Sequence, residues 1–452
     1  MRTEPYRVHC ADVSDLLPTL EPESFDAVLC DPPYGLAFRG KAWDHGVPSA
    51  EVWAEVLRVL KPGGHLIAFG GTRTFHRLTC AIEDAGFEIR DCLAWLYGQG
   101  FPKSLDISKA LDKEAGAERE VTGYGPPKTG APSPALAPSE MNIPGARAVY
   151  TKPSTAAAKL WHGYGTALKP AWEPAILAMK PTVGTFAENA LAWGVAGINV
   201  DGCRIIGDKG AGVWGTSNAT CAPSFNGSPE RHDFRSRPVE VEGQIGRWPA
   251  NVALDEEAAA MLDEQSGEVG GGRFTNGGAG YDEAGLGTAY LGRFRGASTA
   301  GMPTLDKGGA SRFFYVSKAS RSEREAGLEG FSRIVRRITE GHGRGEINTS
   351  KGDGTGIREN RPTANHHPTV KPIRLAEWLA KLLLPPKRDT PRRLLVPFSG
   401  SGSEMIGGLL AGWDEVVGIE REAEYVEIAE ARLAYWMREA DAQESLFAER
   451  TA

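Results

Sequence analysis

Short apolar runs alternate with helix-patterned segments at both ends of this chain, and the long middle does not sustain the pattern. Residues 6–10 form a strand candidate, and residues 27–30 are an apolar run that ends at Asp31-Pro32-Pro33-Tyr34. Ser49 can cap a helix through residues 50–61, with Val52, Trp53, Val56, Leu57 and Leu60 on one face. Pro62-Gly63-Gly64 stops it; residues 65–71 then read as a buried strand, about 74–85 as a helix and 87–98 as further strand. The pattern returns after residue 366. Residues 373–384 read as a helix, 392–398 as a strand, and a glycine turn then opens another helix. A strand at 415–420 precedes a last helix with Tyr425, Ile428, Ala429, Leu433 and Trp436 on one face. Repeated alternation of this kind specifies an α/β fold on a parallel sheet. The simplest arrangement is one sheet built from both ends of the chain, with a large middle insertion.

The middle divides by composition. Residues 124–153 hold seven prolines in thirty and read as loop. Residues 160–200 regain a strand in PAILAMK and a helix in TFAENALAWG. Residues 266–309 hold 14 glycines in 44 with no apolar period, so they cannot build a core alone and are expected to be mobile. RFFYVSKA, 312–319, looks like a strand. The expected division is therefore 1–98, 99–159, 160–200, 201–364 and 365–452.

Fifty-one Lys and Arg against 58 Asp and Glu in 452 residues give a net charge of −7. Residues 413–452 alone carry eleven acids and four bases, so the rest of the chain sums to zero. Residues 312–346 hold eight Lys or Arg against five Glu, a local basic surface that leaves nucleic acid open as a partner. No apolar run approaches the roughly 20 residues a membrane span needs. The first residues lack the apolar core of a secretory signal. Six cysteines without CxxC spacing argue against a zinc site or a disulfide framework and fit a reducing cytosol.

Three motifs carry chemistry. Asp31-Pro32-Pro33-Tyr34 is a stiff loop at the carboxyl end of a strand, the edge where open α/β sheets bind ligands. Its carboxylate and the Pro32 carbonyl can accept the two hydrogens of an exocyclic amino group. That favours sp3 geometry and frees the nitrogen lone pair, while Tyr34 can stack on the base. Phe398-Ser399-Gly400-Ser401-Gly402-Ser403 lies between a strand and a helix, and Glu420 ends the next strand. Glycines allow close backbone approach, and an acid at that remove can hold ribose hydroxyls, so the pair suggests a nucleoside-type cofactor. No GKS or GKT is present, which disfavours a phosphate-binding P-loop. The third motif, His367-Pro368-Thr369-Val370-Lys371-Pro372, opens the helix before the glycine-turn strand.

DPPYGLAFRGKAWD, HPTVKP and VPFSGSGS, in that order, resemble the permuted β-class of DNA amino-methyltransferases, with phage and prophage members nearest. WLYGQGFPKSLDISKALD, GTALKPAWEPAIL and SRFFYVSKASRSER resemble the same group. The resemblance implies a Rossmann-like, circularly permuted sheet with helices on both faces and a middle insertion for target recognition. It implies S-adenosylmethionine as methyl donor and double-stranded DNA as partner. Asp31 and Pro32 would bind the target amino group, with Pro33 and Tyr34 completing the motif and Tyr34 meeting the flipped base. Gly400 and Gly402, with Ser399 and Ser401, would pass under the cofactor, and Phe398 would lie beside its adenine. Glu420 would take the ribose, Asp12 the adenine region, and Thr369 and Lys371 the methionine end.

Two positions depart from the family. It has Asp near the methionine ammonium where this chain has Val396, and Thr-Thr where this chain has Ser403-Glu404. Both changes fall in the cofactor site and imply modest affinity for the donor. Glu404 opens the following helix, where it can face solvent. DPPY favours adenine N6 as target, with cytosine N4 as the alternative; a non-catalytic DNA-binding module is the alternative from another class. C5 chemistry would need a nucleophilic cysteine after proline, and no Pro-Cys occurs. Arg333, Arg336 and Arg337 are candidates for phosphate contact. A homodimer, a restriction partner and the recognition sequence stay open. The expected compartment is a bacterial or phage-infected cytosol.

Overall fold

The fold is that of a computed structural model, which describes residues 5–36, 46–98, 100, 104–124, 149–205, 246–268, 308–317, 321–333, 337–338, 358–359, 364–367 and 369–451. The chain opens with β1 (Tyr6–Cys10), α1 (Val13–Leu16), β2 (Phe25–Cys30), α2 (Ala50–Val59), β3 (Leu60–Phe69), α3 (Phe75–Asp84) and β4 (Glu88–Leu96). The middle adds α4 (Ile107–Glu114), β5 (Val121–Tyr124), β6 (Val149–Thr151), α5 (Ala156–Leu160), β7 (Trp172–Met179) and α6 (Phe186–Trp193). Then come β8 (Val252–Asp255), α7 (Glu256–Ser266), β9 (Tyr315–Ser317), α8 (Arg321–Glu325), β10 (Arg337–Ile338) and β11 (Arg358–Glu359). The last segment supplies α9 (Ile373–Leu383), β12 (Arg393–Pro397), α10 (Ser403–Ala411), β13 (Glu415–Glu420) and α11 (Ala423–Thr451).

The central sheet has the order β1-β13-β12-β2-β3-β7-β4-β8, and its ninth strand is the short β9. The fold is thus α/β on a Rossmann-like sheet. Strands from the two ends of the chain meet where β12 pairs with β2, Leu394 opposite Ala27 and Leu395 opposite Val28. From β2 the next strand lies on one side and from β12 on the other. That reversal opens a crevice at the carboxyl ends of both strands, the usual ligand position in such sheets. All six residues of β2 are buried, which explains its continuous apolar reading apart from Asp26.

The expectation of a wholly parallel sheet needs correction. β7 runs antiparallel between β3 and β4 and pairs with both. Trp172 lies opposite Leu96, so β7 begins where β4 ends. The excursion between them closes as a wide hairpin, whereas a parallel strand would need a crossover back along the sheet. Pro62-Gly63-Gly64 also does more than stop a helix: α2 ends at Val59 and the chain passes straight into β3, with the three residues inside the strand. Among the described residues of RFFYVSKA, the strand is the three-residue β9, preceded by a 3-10 turn at Ala310–Phe313.

The chain divides into two compact units, one of Met1–Asn199, Asn251–Ala258 and Ser317–Ala452, the other of Val200–Ala250 and Ala259–Val316. In the second, Ile205 and Arg247 exchange backbone hydrogen bonds at 3.0 and 2.9 Å, and Asp263 accepts from the amide and hydroxyl of Ser311 at 2.8 and 2.7 Å. Most of the glycine-rich stretch, from 269 to 307, lies outside the described residues, as do 125–148 and Arg336. Among the described residues no helix is long and apolar enough to cross a membrane.

One buried acid joins the two ends of the chain. Asp26, 1% exposed within β2, accepts from Lys61 Nζ at 2.7 Å, from Arg388 Nη2 at 2.5 Å and from the Arg393 backbone amide at 2.7 Å. It therefore ties β2 to the start of β3 and to the entry of β12. Asp26→Ala should cost about 3 kcal/mol, the range for breaking a buried pair from one side. Urea denaturation would measure it, and a loss below about 1 kcal/mol would show that the two cations find other partners.

Candidate active site

A cavity of about 440 Å³ opens at this switch point, within the first unit. The segments after β1, β2, β3, β12 and β13 line it, together with the first residues of the antiparallel β7. Asp31, Pro32, Pro33 and Tyr34 form one wall and Phe398, Ser399, Gly400 and Ser401 another; Asp12, Thr369 and Glu420 also line it. Lys371 and Gly402 stand behind this surface rather than on it.

The DPPY wall is an ion-pair network. Lys371 Nζ donates to Asp31 Oδ2 at 2.6 Å and to the Tyr34 hydroxyl oxygen at 3.0 Å, and lies 3.3 Å from Glu173 Oε2. Tyr34 donates its hydroxyl hydrogen to Asp31 Oδ1 at 2.7 Å, with Glu173 Oε2 at 3.2 Å as the competing acceptor. Lys371 is 6% exposed and sits 4.7 Å from the centre of the Phe69 ring. Burial alone would lower its pKa, but attraction by Asp31 and Glu173 outweighs that and holds it above the ordinary lysine value. Burial, and then the charges of Asp31 and Glu173, push the Tyr34 hydroxyl well above its usual range. Lys371 is thus fixed as a cation and Tyr34 as a neutral donor. Lys371, read from sequence as lying near the methionine end of a cofactor, contacts the DPPY carboxylate itself.

The glycine turn is held open by backbone geometry and a buried arginine. Phe398, Gly400 and Gly402 all have positive φ, at 64°, 52° and 80°. A Cβ on Gly400 would come within 2.8 Å of His367 Nε2, so only glycine fits the turn without displacing that ring. Glu420 Oε2 accepts from the Gly400 amide at 2.9 Å and Oε1 from the Glu422 amide at 2.9 Å. Burial raises its pKa. Beneath the turn, fully buried Arg432 donates to Ser401 O, to Ser401 Oγ at 3.1 Å and to Ser403 Oγ at 3.3 Å. His367 lines the cavity; burial pushes its pKa down to about 4, so it is neutral. Its Nδ1 lies 2.9 Å from Thr369 O, which places the proton on Nδ1. Asp12 caps α1 by accepting from Ser14 N at 2.9 Å and lies 3.8 Å from Arg421. Ser399 Oγ is buried with no hydrogen-bond partner among the described residues.

Glu404 corrects the sequence reading most. It does not face solvent: it is 4% exposed, in the first turn of α10, and lines the cavity. Val396 is fully buried, pairs opposite Gly418 and does not line the cavity. Glu173, Tyr97 and Trp172 also line the cavity without a signal in the sequence, and Tyr425, read there only as part of the apolar face of the last helix, lines it too. Glu173 sits inside the quoted segment GTALKPAWEPAIL, but one acid at the head of an apolar run looks like a strand end. Among the described residues no group of three or more side chains is arranged to hold a metal ion.

Known proteins meet this chain at the same place. Residues 25–114 match the N6_N4_Mtase family, described as DNA methylase. The matched segment runs from β2 through α4 and includes the DPPY loop. Over 114 residues the chain is 30% identical to the type II methyltransferase M.HpaI of Haemophilus parainfluenzae, covering 24% of this chain and 36% of that protein. The chain thus spans about a third of the length of that curated relative. Among solved structures it is similar to an M1.HpyAVI–SAM complex, with 14% identity, TM-score 0.35 and coverage of 95% and 98%. It is also similar to the cytosine-N4-specific PvuII DNA methyltransferase, with 11% identity, TM-score 0.39 and coverage of 95% and 86%. These likenesses are loose, and the chain's own residues define its site.

The Glu404 carboxyl makes the site's electrostatics measurable without a ligand. Burial, then repulsion by Asp31, raises its pKa from 4.5 to about 7. Between those values the folded protein holds a proton that the unfolded chain has released. This group's contribution to stability therefore falls as pH rises through that window. Glu404→Gln cannot ionise. Its stability relative to the unsubstituted chain should rise by about 2 kcal/mol between about pH 5 and about pH 8. Chemical denaturation at both pH values checks it, and a pH-independent difference would show that Glu404 ionises normally.

Proposed function

We propose that this chain is an S-adenosylmethionine-dependent DNA methyltransferase acting on the N6 amino group of adenine in duplex DNA. The observation that carries the reading is the composition of one cavity. Asp31 and the Pro32 carbonyl stand on one wall, and the glycine turn with Glu420 stands on the other. The lining holds six carboxylates, on Asp12, Asp31, Glu173, Glu404, Glu420 and Glu422, against the one guanidinium of Arg421. Such a cavity repels phosphate and attracts a cation, which suits a sulfonium nucleoside and disfavours a nucleotide. The residues present fit that donor: Gly400 permits close approach, Ser399 Oγ lacks a partner, and Phe398 supplies an apolar face.

S-adenosylmethionine, when bound, supplies an electrophilic methyl group on a neutral-leaving sulfur. The protein's part is to position and activate the amine. Asp31 and Pro32 accept the two amino hydrogens and draw the nitrogen towards sp3 geometry. Lys371, by donating to Asp31 from behind, fixes which carboxylate oxygen faces the cavity. The nitrogen lone pair freed by Asp31 and Pro32 would take the methyl group, the departing sulfur would keep the bonding pair, and the excess proton would leave nitrogen for water. No general base is required. The amino group cannot reach such a cavity from inside the helix stack, so the base must flip out, and Tyr34 and the neighbouring aromatics offer it a face. The second unit and the basic surface around Arg333 would contact the DNA, with specificity from base edges in the major groove. The order of DPPY before the glycine turn is the permuted arrangement, in keeping with the two chain ends meeting at β2 and β12.

Asp31→Ala should lower transfer of a labelled methyl group to DNA at least about 100-fold while donor affinity changes less than about threefold. Transfer near the unsubstituted rate would refute the role of Asp31. Enzymatic digestion of the product should release N6-methyladenine. N4-methylcytosine alone would move the target to cytosine and keep the site.

A further inference from the structure

Glu404 is a buried acid without a counter-charge. Among the described residues no Lys, Arg or His nitrogen lies within ion-pair distance of it. The nearby ammonium of Lys371 is already held by Asp31 and Glu173. The guanidinium of Arg432 donates to Ser401, Ser403 and the Glu323 carbonyl and makes no ion pair with Glu404. The side chain is nevertheless buried and forms part of the cavity wall, beside Ser401 and Ser403 of the glycine turn. A buried acid costs stability unless it is paired, and this one lines the cavity.

We propose that Glu404 is the residue that binds the α-ammonium group of the methyl donor; the assignment rests on the reading of this cavity as a donor site. The donor offers two cationic centres, and the chemistry selects between them. The sulfonium loses its charge during transfer, so a carboxylate held against it would stabilise the reactants more than the transition state and slow the reaction. The ammonium keeps its charge throughout, so a carboxylate there contributes affinity without raising the barrier. Position agrees with this choice. Glu420 sits at the end of β13 against the Gly400 amide, where the ribose belongs, whereas Glu404 lies past the glycine turn, in the first turn of α10 and on the same cavity as Asp31. Val396 cannot serve instead, because it is apolar, fully buried and off the cavity surface.

The test compares two ligands on two proteins by calorimetric titration of the full chain near neutral pH. The ligands are S-adenosylhomocysteine and its deamino analogue, in which hydrogen replaces the ammonium. The unsubstituted chain should bind the parent about tenfold more tightly than the analogue, and Glu404→Gln should bind both alike. Equal binding of the two ligands by the unsubstituted chain would overturn the proposal without recourse to any variant. So would full discrimination retained in Glu404→Gln. If the unsubstituted chain binds neither ligand, the donor-site reading itself fails and the assignment of Glu404 fails with it. Binding with discrimination that survives the substitution removes only the assignment.

Discussion

The ion pair between Lys371 and Asp31 is the contact on which the site depends. The two residues are 340 positions apart and meet at 2.6 Å with both side chains largely buried. Burial alone would push the lysine towards its neutral form, and the acids beside it hold it charged. Together with Glu173 and Tyr34, Lys371 and Asp31 satisfy one another, at the cost of requiring both ends of the chain to be in place. The pair therefore serves fold and chemistry at once. It orients the carboxylate at the mouth of β2, and it reports that β12 has docked against β2.

Asp26 plays the matching part at the opposite end of β2, inside the strand rather than beyond it. It gathers Lys61, Arg388 and the Arg393 amide around one buried carboxylate. With an acid fixed at each end, β2 cannot slip in register against β12 or β3 without leaving a charge unpaired. That precision matters because the DPPY loop and the glycine turn must face each other across a single cavity.

The sequence carried most strands of the central sheet, though not β8, together with the carboxyl-edge position of DPPY and the pairing of the glycine turn with Glu420, because each is written in a contiguous pattern. What it hid depends on spatial neighbours. The antiparallel course of β7 follows from where β4 ends, which no periodicity records. Lys371 sits in a legible motif, but its partner lies at the other end of the chain. Glu404 looks like any acid in a helix's first turn, a favourable surface position by helix-dipole arguments, and only the fold reveals that it is buried. Arg432 is likewise one more cation on a charged helix until its contacts with the glycine turn are seen.

The central claim is that Lys371 holds Asp31 in the orientation the reaction needs. Single-turnover methyl transfer by Lys371→Met, at saturating donor and DNA, tests it directly. The account predicts a transfer rate at least about 100-fold lower, with the donor dissociation constant within about threefold of the unsubstituted chain. A rate within a few-fold of the original would mean that Asp31 needs no such partner, and the account of the site would fall.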